Sequence, residues 1–315
     1  MSDKHYDALP KAHTTYANII KSLLPIGDNP KAKRDELPNA TYYVDKLHID
    51  QENLDDYRKI CGFVDNGKVP ITYFSVLSQA LQMNMMVKEP FPFAMLGLVH
   101  VANSVTQYRP IGERETVAMS VSFDNLRDHD KGQQFDFVTT VKSGEEVVWE
   151  GSSTYLARSR KADKSDKSAK RDKTPHVKPL FKEGGVHTVF EVPEDIGRRY
   201  AFVSGDFNLI HLHPLSARAF GFPKAIAHGM WSKAKCLALI ADLPEACRVE
   251  VVFKLPILLP AEVELLSEPT RVLEDEDSNC HFALYNAKND KPHLSGYIYN
   301  VDNAPQSGDD NTNND

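Results

Sequence analysis

Nothing in this chain of 315 residues answers to a membrane span, a disulfide framework or a polyanion binder. The stretch Phe91–Tyr108 holds no Asp, Glu, Lys or Arg, but Pro92, His100, Asn103, Ser104 and Gln107 interrupt it, which excludes a transmembrane helix. The first ten residues have no apolar core of the kind a signal peptide needs. Cysteine is scarce: Cys61, Cys236, Cys247 and Cys280 make no CxxC pair and no zinc-like spacing, so reduced thiols packed as small apolar groups are expected. A formal net charge of −7 gives no overall reason to expect nucleic-acid binding. No Gly-x-Ser-x-Gly elbow is present, which disfavours a serine nucleophile. These absences imply a soluble, cytoplasmic protein.

What is present is 41 % apolar residues, enough for two cores, and a sequence that runs through similar landmarks twice. Tyr57 precedes Gly62 by five residues, as Tyr200 precedes Gly205. A helical pattern follows each, over residues 72–86 and again from His228 through Trp231, Ala234, Leu237 and Ile240. β-Branched strand runs come next, and the interval from Pro110 to Val117 equals that from Pro256 to Val263. Several matches in one order argue for duplication. The copies are separated by a run of mixed charge in which Arg and Lys alternate with Asp163, Asp166 and Asp172; it has no apolar periodicity and reads as a solvated linker. The expected organisation is an N-terminal extension over 1–55, a first domain over 56–158, a linker over 159–180, a second domain over 181–301 and a disordered acidic tail over 302–315.

The copies differ between the first glycine and the helix. Gly62 to Thr72 is 10 residues; Gly205 to Gly229 is 24, and the extra segment carries Asp206, Asn208 and His211. A carboxylate and an imidazole are the side chains best suited to move a proton near neutral pH. Gly229, at the head of a helical pattern, offers an unshielded N–H at the positive end of a helix dipole. Asn208 does not titrate and is an orienting group. A metal site of Asp206, His211 and His213 is a poorer reading, because no fourth ligand has a matching spacing. His228 and His100 are read as structural, His100 as a satisfied core histidine, and His213 as uninvolved.

The stretch Tyr200, Ser204, Gly205, Asp206, Asn208, Ile210, His211 resembles the hydratase 2 motif of MaoC-like dehydratases, the (R)-specific enoyl-thioester hydratases of the hot-dog superfamily. Leu209 stands where that pattern has proline, a change that loosens a turn without removing a reactive group. Phe253 to Pro260 is similar to the family's Phe-x-x-Pro-Val-x-x-Gly strand entry. The resemblance implies an α+β double hot dog: two long helices, each wrapped by an antiparallel sheet, with the sheets joined edge to edge. It implies hydration of a trans-2-enoyl thioester, or dehydration of the (R)-3-hydroxyacyl thioester, in fatty-acid metabolism. Asp206 and His211 would hold the water, and the Gly229 N–H the thioester oxygen. No cofactor or metal is implied, and the acyl group would arrive on coenzyme A or an acyl carrier protein. A homodimer or a pseudo-dimeric monomer is implied. A non-catalytic acyl-thioester binder and a hot-dog thioesterase are the alternatives. In the first copy Phe63 stands in place of Asp206, so that half would lack chemistry and supply room for an acyl tail. Met83, Met85, Met86, Phe91, Phe93, Met95 and Leu96 would suit such a tail, though each taken singly reads first as core.

Overall fold

The computed structural model describes residues 2–10, 36–95, 97–158, 185–240, 242–274 and 278–301. The expected linker and acidic tail, and Leu96, therefore lie outside the described residues. The first half contains β1 (Ser2–Tyr6), β2 (Ala40–Leu47), α1 (Gln51–Cys61), α2 (Tyr73–Lys88), β3 (Leu98–Gln107), β4 (Val117–His129), β5 (Gly132–Ser143) and β6 (Glu146–Arg158). The second contains β7 (Val186–Val192), α3 (Ile196–Ser204), α4 (Leu209–Leu212), α5 (Pro214–Ala219), α6 (Gly229–Leu239), β8 (Cys247–Phe253), β9 (Ala261–Ser267), β10 (Asn279–Asn286) and β11 (Pro292–Asn300).

All eleven strands form one sheet in the order β1-β2-β4-β5-β6-β3-β8-β11-β10-β9-β7. Every pairing is antiparallel except β1 with β2. Without β1, the order to the right of the β3–β8 seam repeats the order to the left, reversed. β2 answers to β7, β3 to β8, and β4, β5, β6 to β9, β10, β11. Each five-stranded unit covers one long helix, α2 or α6, so the chain is a double hot dog with a pseudo-two-fold axis at the seam. β2 belongs to the first unit and falls within the segment read from the sequence as an N-terminal extension.

The repeated landmarks have one physical cause. Asp50 caps α1 by accepting from the Glu52 and Asn53 N–H groups at 3.0 and 3.2 Å, and basic Arg58 and Lys59 sit in its last turn. α1 and α3 then both end on a glycine in the left-handed region, Gly62 at φ 90° and Gly205 at φ 75°, where other residues are strained. Tyr57 and Tyr200 are both fully buried, with ring centroids 6.4 Å apart. α2 is buried on nearly every side, through Tyr73, Phe74, Leu81 and Met85 among others, each worth about 1.5–3 kcal/mol of transfer from water. Trp149 of β6 donates to the Ile71 carbonyl at 2.8 Å and anchors the start of α2.

The seam carries a buried lysine. Lys233 of α6 donates to Asn103 Oδ1 of β3 at 2.7 Å and to the Val249 carbonyl of β8 at 3.0 Å. Burial pulls its pKa down to about 7. It ties the helix of the second half to the edge strand of the first. No helix among the described residues is long and apolar enough to cross a membrane.

Candidate active site

The extra segment of the second half folds as a chain of short side-chain-to-backbone bonds. Ser204 Oγ donates to the Tyr200 carbonyl at 2.8 Å and accepts from the Asp206 N–H at 3.2 Å. Asp206 Oδ1 accepts from the Asn208 N–H at 3.1 Å, and Asn208 Oδ1 accepts from the Ile210 N–H at 3.4 Å, capping α4. Leu209 is thus the first helical residue of α4. Proline is favoured there because that N–H has no intrahelical partner. With the Asn208 cap in place the turn forms without it.

Three groups converge behind this turn. Asp206, His211 and His228 offer one carboxylate oxygen and one ring nitrogen each, all within 4.8 Å of one another. His211 Nδ1 lies 2.8 Å from the Ile226 carbonyl, which can only accept. Nδ1 therefore carries the proton and Nε2 carries the lone pair. By the same logic His228 Nε2 donates to the Asp206 carbonyl at 3.0 Å, and it lies 3.8 Å from Asp206 Oδ2. The two imidazoles stack with centroids 3.6 Å apart, and Tyr200 lies 5.0 Å from His228. Burial lowers the pKa of both histidines against the opposing pull of Asp206, so both are neutral near pH 7.

Gly197 lets α3 approach this far. A Cβ on it would stand 2.1 Å from the His211 carbonyl oxygen. Behind His211 the segment Ala225–Ala227 pairs with Ile257–Leu259, through Ala227 N–H to the Ile257 carbonyl and Leu259 N–H to the Ala225 carbonyl. That pairing fixes where α6 begins. Gly229 is its first residue, and a Cβ there would meet the Phe253 ring at 3.0–3.2 Å.

Asp206, Asn208, His211, His228 and Gly229 all line one cavity of about 1940 Å³. Its opposite wall comes from the first half, including Gln79 and Gln82 of α2, His100 of β3 and Tyr155 of β6. Among the described residues expected to suit an acyl tail, only Phe93 reaches this wall. Met85 and Met86 are core, and Phe91 stacks on Phe123 and meets Phe93 and Phe135 edge-on, because aromatic burial there outweighs exposure to a cavity. His100 also departs from expectation. Its Nε2 is buried with no hydrogen-bond partner, its ring stacks on Tyr155 at 4.7 Å and lies 5.0 Å from Phe253, and burial lowers its pKa to about 4. One ring nitrogen of His100 is therefore left unsatisfied at the site wall. His213 is exposed, accepts from the Leu215 N–H at 3.1 Å and caps α5, away from the cluster.

The metal site set aside in the sequence had His213 as its third member; in the structure the group beside Asp206 and His211 is His228. Imidazole lone pairs lie in the ring plane. Two rings stacked at 23° and 3.6 Å do not aim them at a common point about 2.0–2.1 Å from each, so the cluster does not suit one ion.

A family model for the MaoC like domain matches residues 160–271, the segment that holds the cluster. 3-Hydroxyacyl-thioester dehydratase X of Mycobacterium tuberculosis is 36% identical over 288 residues, covering 90% of this chain and 99% of that protein. The chain belongs to the MaoC-like dehydratase family. Among solved structures, HtdX of M. tuberculosis superposes on this MaoC-like chain with a TM-score of 0.69 at 34% identity, over 83% of this chain and 100% of that one. A MaoC-like dehydratase from Phytophthora capsici shares the fold, with a TM-score of 0.63 at 18% identity over 87% and 100% of the two chains.

Set against the MaoC-like pattern, the residue missed in the sequence is His228. Its signal was the dipeptide His228-Gly229 at the head of α6. A histidine beside a helix-start glycine has several structural explanations, and only the stacking on His211 distinguishes them. His100 had no local signal at all, since its proximity depends on the β3–β8 seam.

Proposed function

We propose that the chain is a hydro-lyase that interconverts trans-2-enoyl thioesters and (R)-3-hydroxyacyl thioesters by syn addition and loss of water. The observation that carries this reading is the convergence of the Asp206 carboxylate, the His211 imidazole and the first turn of α6 in one cavity. Water is held between Asp206 and His211 Nε2. As its oxygen bonds to C3, this pair takes the proton, and it returns a proton to C2 on the same face. Electron density moves to the thioester oxygen, where the Gly229 N–H meets it; such a donor is worth about 3 kcal/mol. Asn208 holds the turn that aims Asp206, and His228 clamps the Asp206 carbonyl. Both halves stand in one chain, so a single pseudo-dimeric chain suffices for the site.

A silent acyl-thioester binder would draw its sequence support from Leu209 in place of the motif's proline, and the Asn208 cap, formed without that proline, speaks against it. The test is hydration of a crotonyl thioester, followed by loss of enoyl absorbance, with free thiol measured in parallel. Loss of absorbance without thiol supports the reading. Thiol release would make the chain a thioesterase, and neither signal would make it a binder.

A further inference from the structure

The outer face of the catalytic segment gathers several large apolar side chains in the open. Phe202 on α3 is 76% exposed, Leu215 on α5 is 67% exposed and Leu209 between them is 37% exposed. They are linked: Phe202 meets Phe207 edge-on at 5.4 Å, and Ser216 of α5 donates to the Leu209 carbonyl at 2.7 Å. Large apolar side chains gathered in the open mark a binding surface.

The same face is cationic in a chain of net charge −7. Arg198 donates to the Leu212 carbonyl and Arg218 to the Pro223 carbonyl. Neither they nor Lys224 pairs with a carboxylate among the described residues, whereas Arg58, Arg109 and Arg127 elsewhere all do. Arg199 is the exception on this face, 3.9 Å from Asp195. The face also continues into the cavity. α5 shows Leu215 and Arg218 outward, then leads to Phe220 and Phe222, which line the cavity beside Asn208 and Ile210.

We propose that this face docks a small acidic carrier protein, whose prosthetic arm delivers the acyl thioester past Phe220 and Phe222. Cations alone would serve the phosphates of a free nucleotide carrier equally well. A nucleotide would leave Phe202 and Leu215 in water, whereas a protein helix with an acidic rim and an apolar centre covers both. This assignment rests on the thioester reading above and names the carrier.

The test presents one acyl group in two forms, on the arm of an acidic acyl carrier protein and on coenzyme A. Two variants are compared with wild type, Phe202→Ser/Leu215→Ser and Arg218→Glu/Lys224→Glu. On the carrier-protein substrate kcat/KM should fall roughly tenfold in each, through KM. On the coenzyme A substrate it should stay unchanged. Raising salt should slow only the carrier-protein reaction, since exposed charges are screened beyond about 8 Å at physiological ionic strength. Equal losses on both substrates, or none on either, would overturn the proposal. Binding of the unacylated carrier protein, read by chemical-shift changes, tests docking without turnover. Binding with no turnover on either substrate would defeat the hydratase reading and leave docking standing, and absent binding would defeat docking alone. A change in oligomeric state of Phe202→Ser/Leu215→Ser by light scattering would assign the face to a second copy of the chain and refute the carrier.

Discussion

Asp206→Asn separates chemistry from architecture more cleanly than any other change. In the wild type Oδ1 accepts from the Asn208 N–H at 3.1 Å, and an amide oxygen accepts that bond equally well. The amide nitrogen then takes the place of Oδ2, 3.8 Å from His228 Nε2. That ring nitrogen already donates to the Asp206 carbonyl at 3.0 Å, so two donors face each other beyond hydrogen-bond distance. The structural cost should stay below about 1 kcal/mol, a shift of no more than ~2–4 °C in Tm. The chemical cost is the loss of a positioned acid–base group, about 10²–10⁴-fold, or about 3–5 kcal/mol of barrier. On the proposed mechanism Asp206 and His211 act on one water, so Asp206→Asn/His211→Gln should be no slower than the worse single variant. The assay is enoyl-thioester hydration beside thermal unfolding. Turnover within tenfold of wild type, or strictly additive losses in the double variant, would refute the shared-water mechanism.

His213→Gln should leave turnover unchanged and lower stability by about 1 kcal/mol, the worth of its cap on α5; damage equal to that of His211→Gln in the hydration assay would show that the wrong histidine was chosen. Gly197→Ala places a Cβ 2.1 Å from the His211 carbonyl and should cost about 1–3 kcal/mol in denaturant unfolding and up to ~100-fold in kcat/KM, because α4 must move. The folded-state pKa of His100 lies near 4, below its value of about 6.5 when unfolded. Its contribution is therefore present above pH 6.5 and lost as pH falls toward 4, by up to about 3 kcal/mol. His100→Phe should flatten the acid limb of wild-type stability in that window, and an unchanged limb in urea titrations would place the loss elsewhere.

The duplicated plan was legible because its landmarks are matters of backbone chemistry. Gly62 and Gly205 stop helices in a conformation that few residues besides glycine adopt readily, and the α2 and α6 patterns reflect helices with little exposed surface. The turn from Ser204 to His211 was legible because its bonds run between near neighbours in sequence. What stayed hidden depends on the seam. His100, Tyr155 and Gln82 come to the cavity only because β3 pairs with β8, a contact between residues more than 100 apart. Met83 and Phe91, which read first as core and pack against it, could not be separated from a tail wall in the sequence, because a flexible or aromatic side chain looks the same there whether it fills a core or faces a cavity.

The same seam bears on why the Asp206–His211 turn occurs in one half only. Two equal units would each present a helix start and a turn, and the pseudo-two-fold would place two identical sites across the sheet. Here the first unit goes from Gly62 to α2 directly, with Phe63 packed on Tyr57 at 6.1 Å where the second unit turns outward to Asp206. The freed volume is not empty protein. It is closed by a 16-residue α2, longer than the 11-residue α6, whose Ser75, Gln79 and Gln82 line the shared cavity. In place of a second turn of that kind, the first unit thus supplies a wall for the cavity beside Asp206 and His211. An isolated second half, lacking that wall, would keep the Asp206–His211 pair and lose the enclosure that keeps bulk water from the developing enolate.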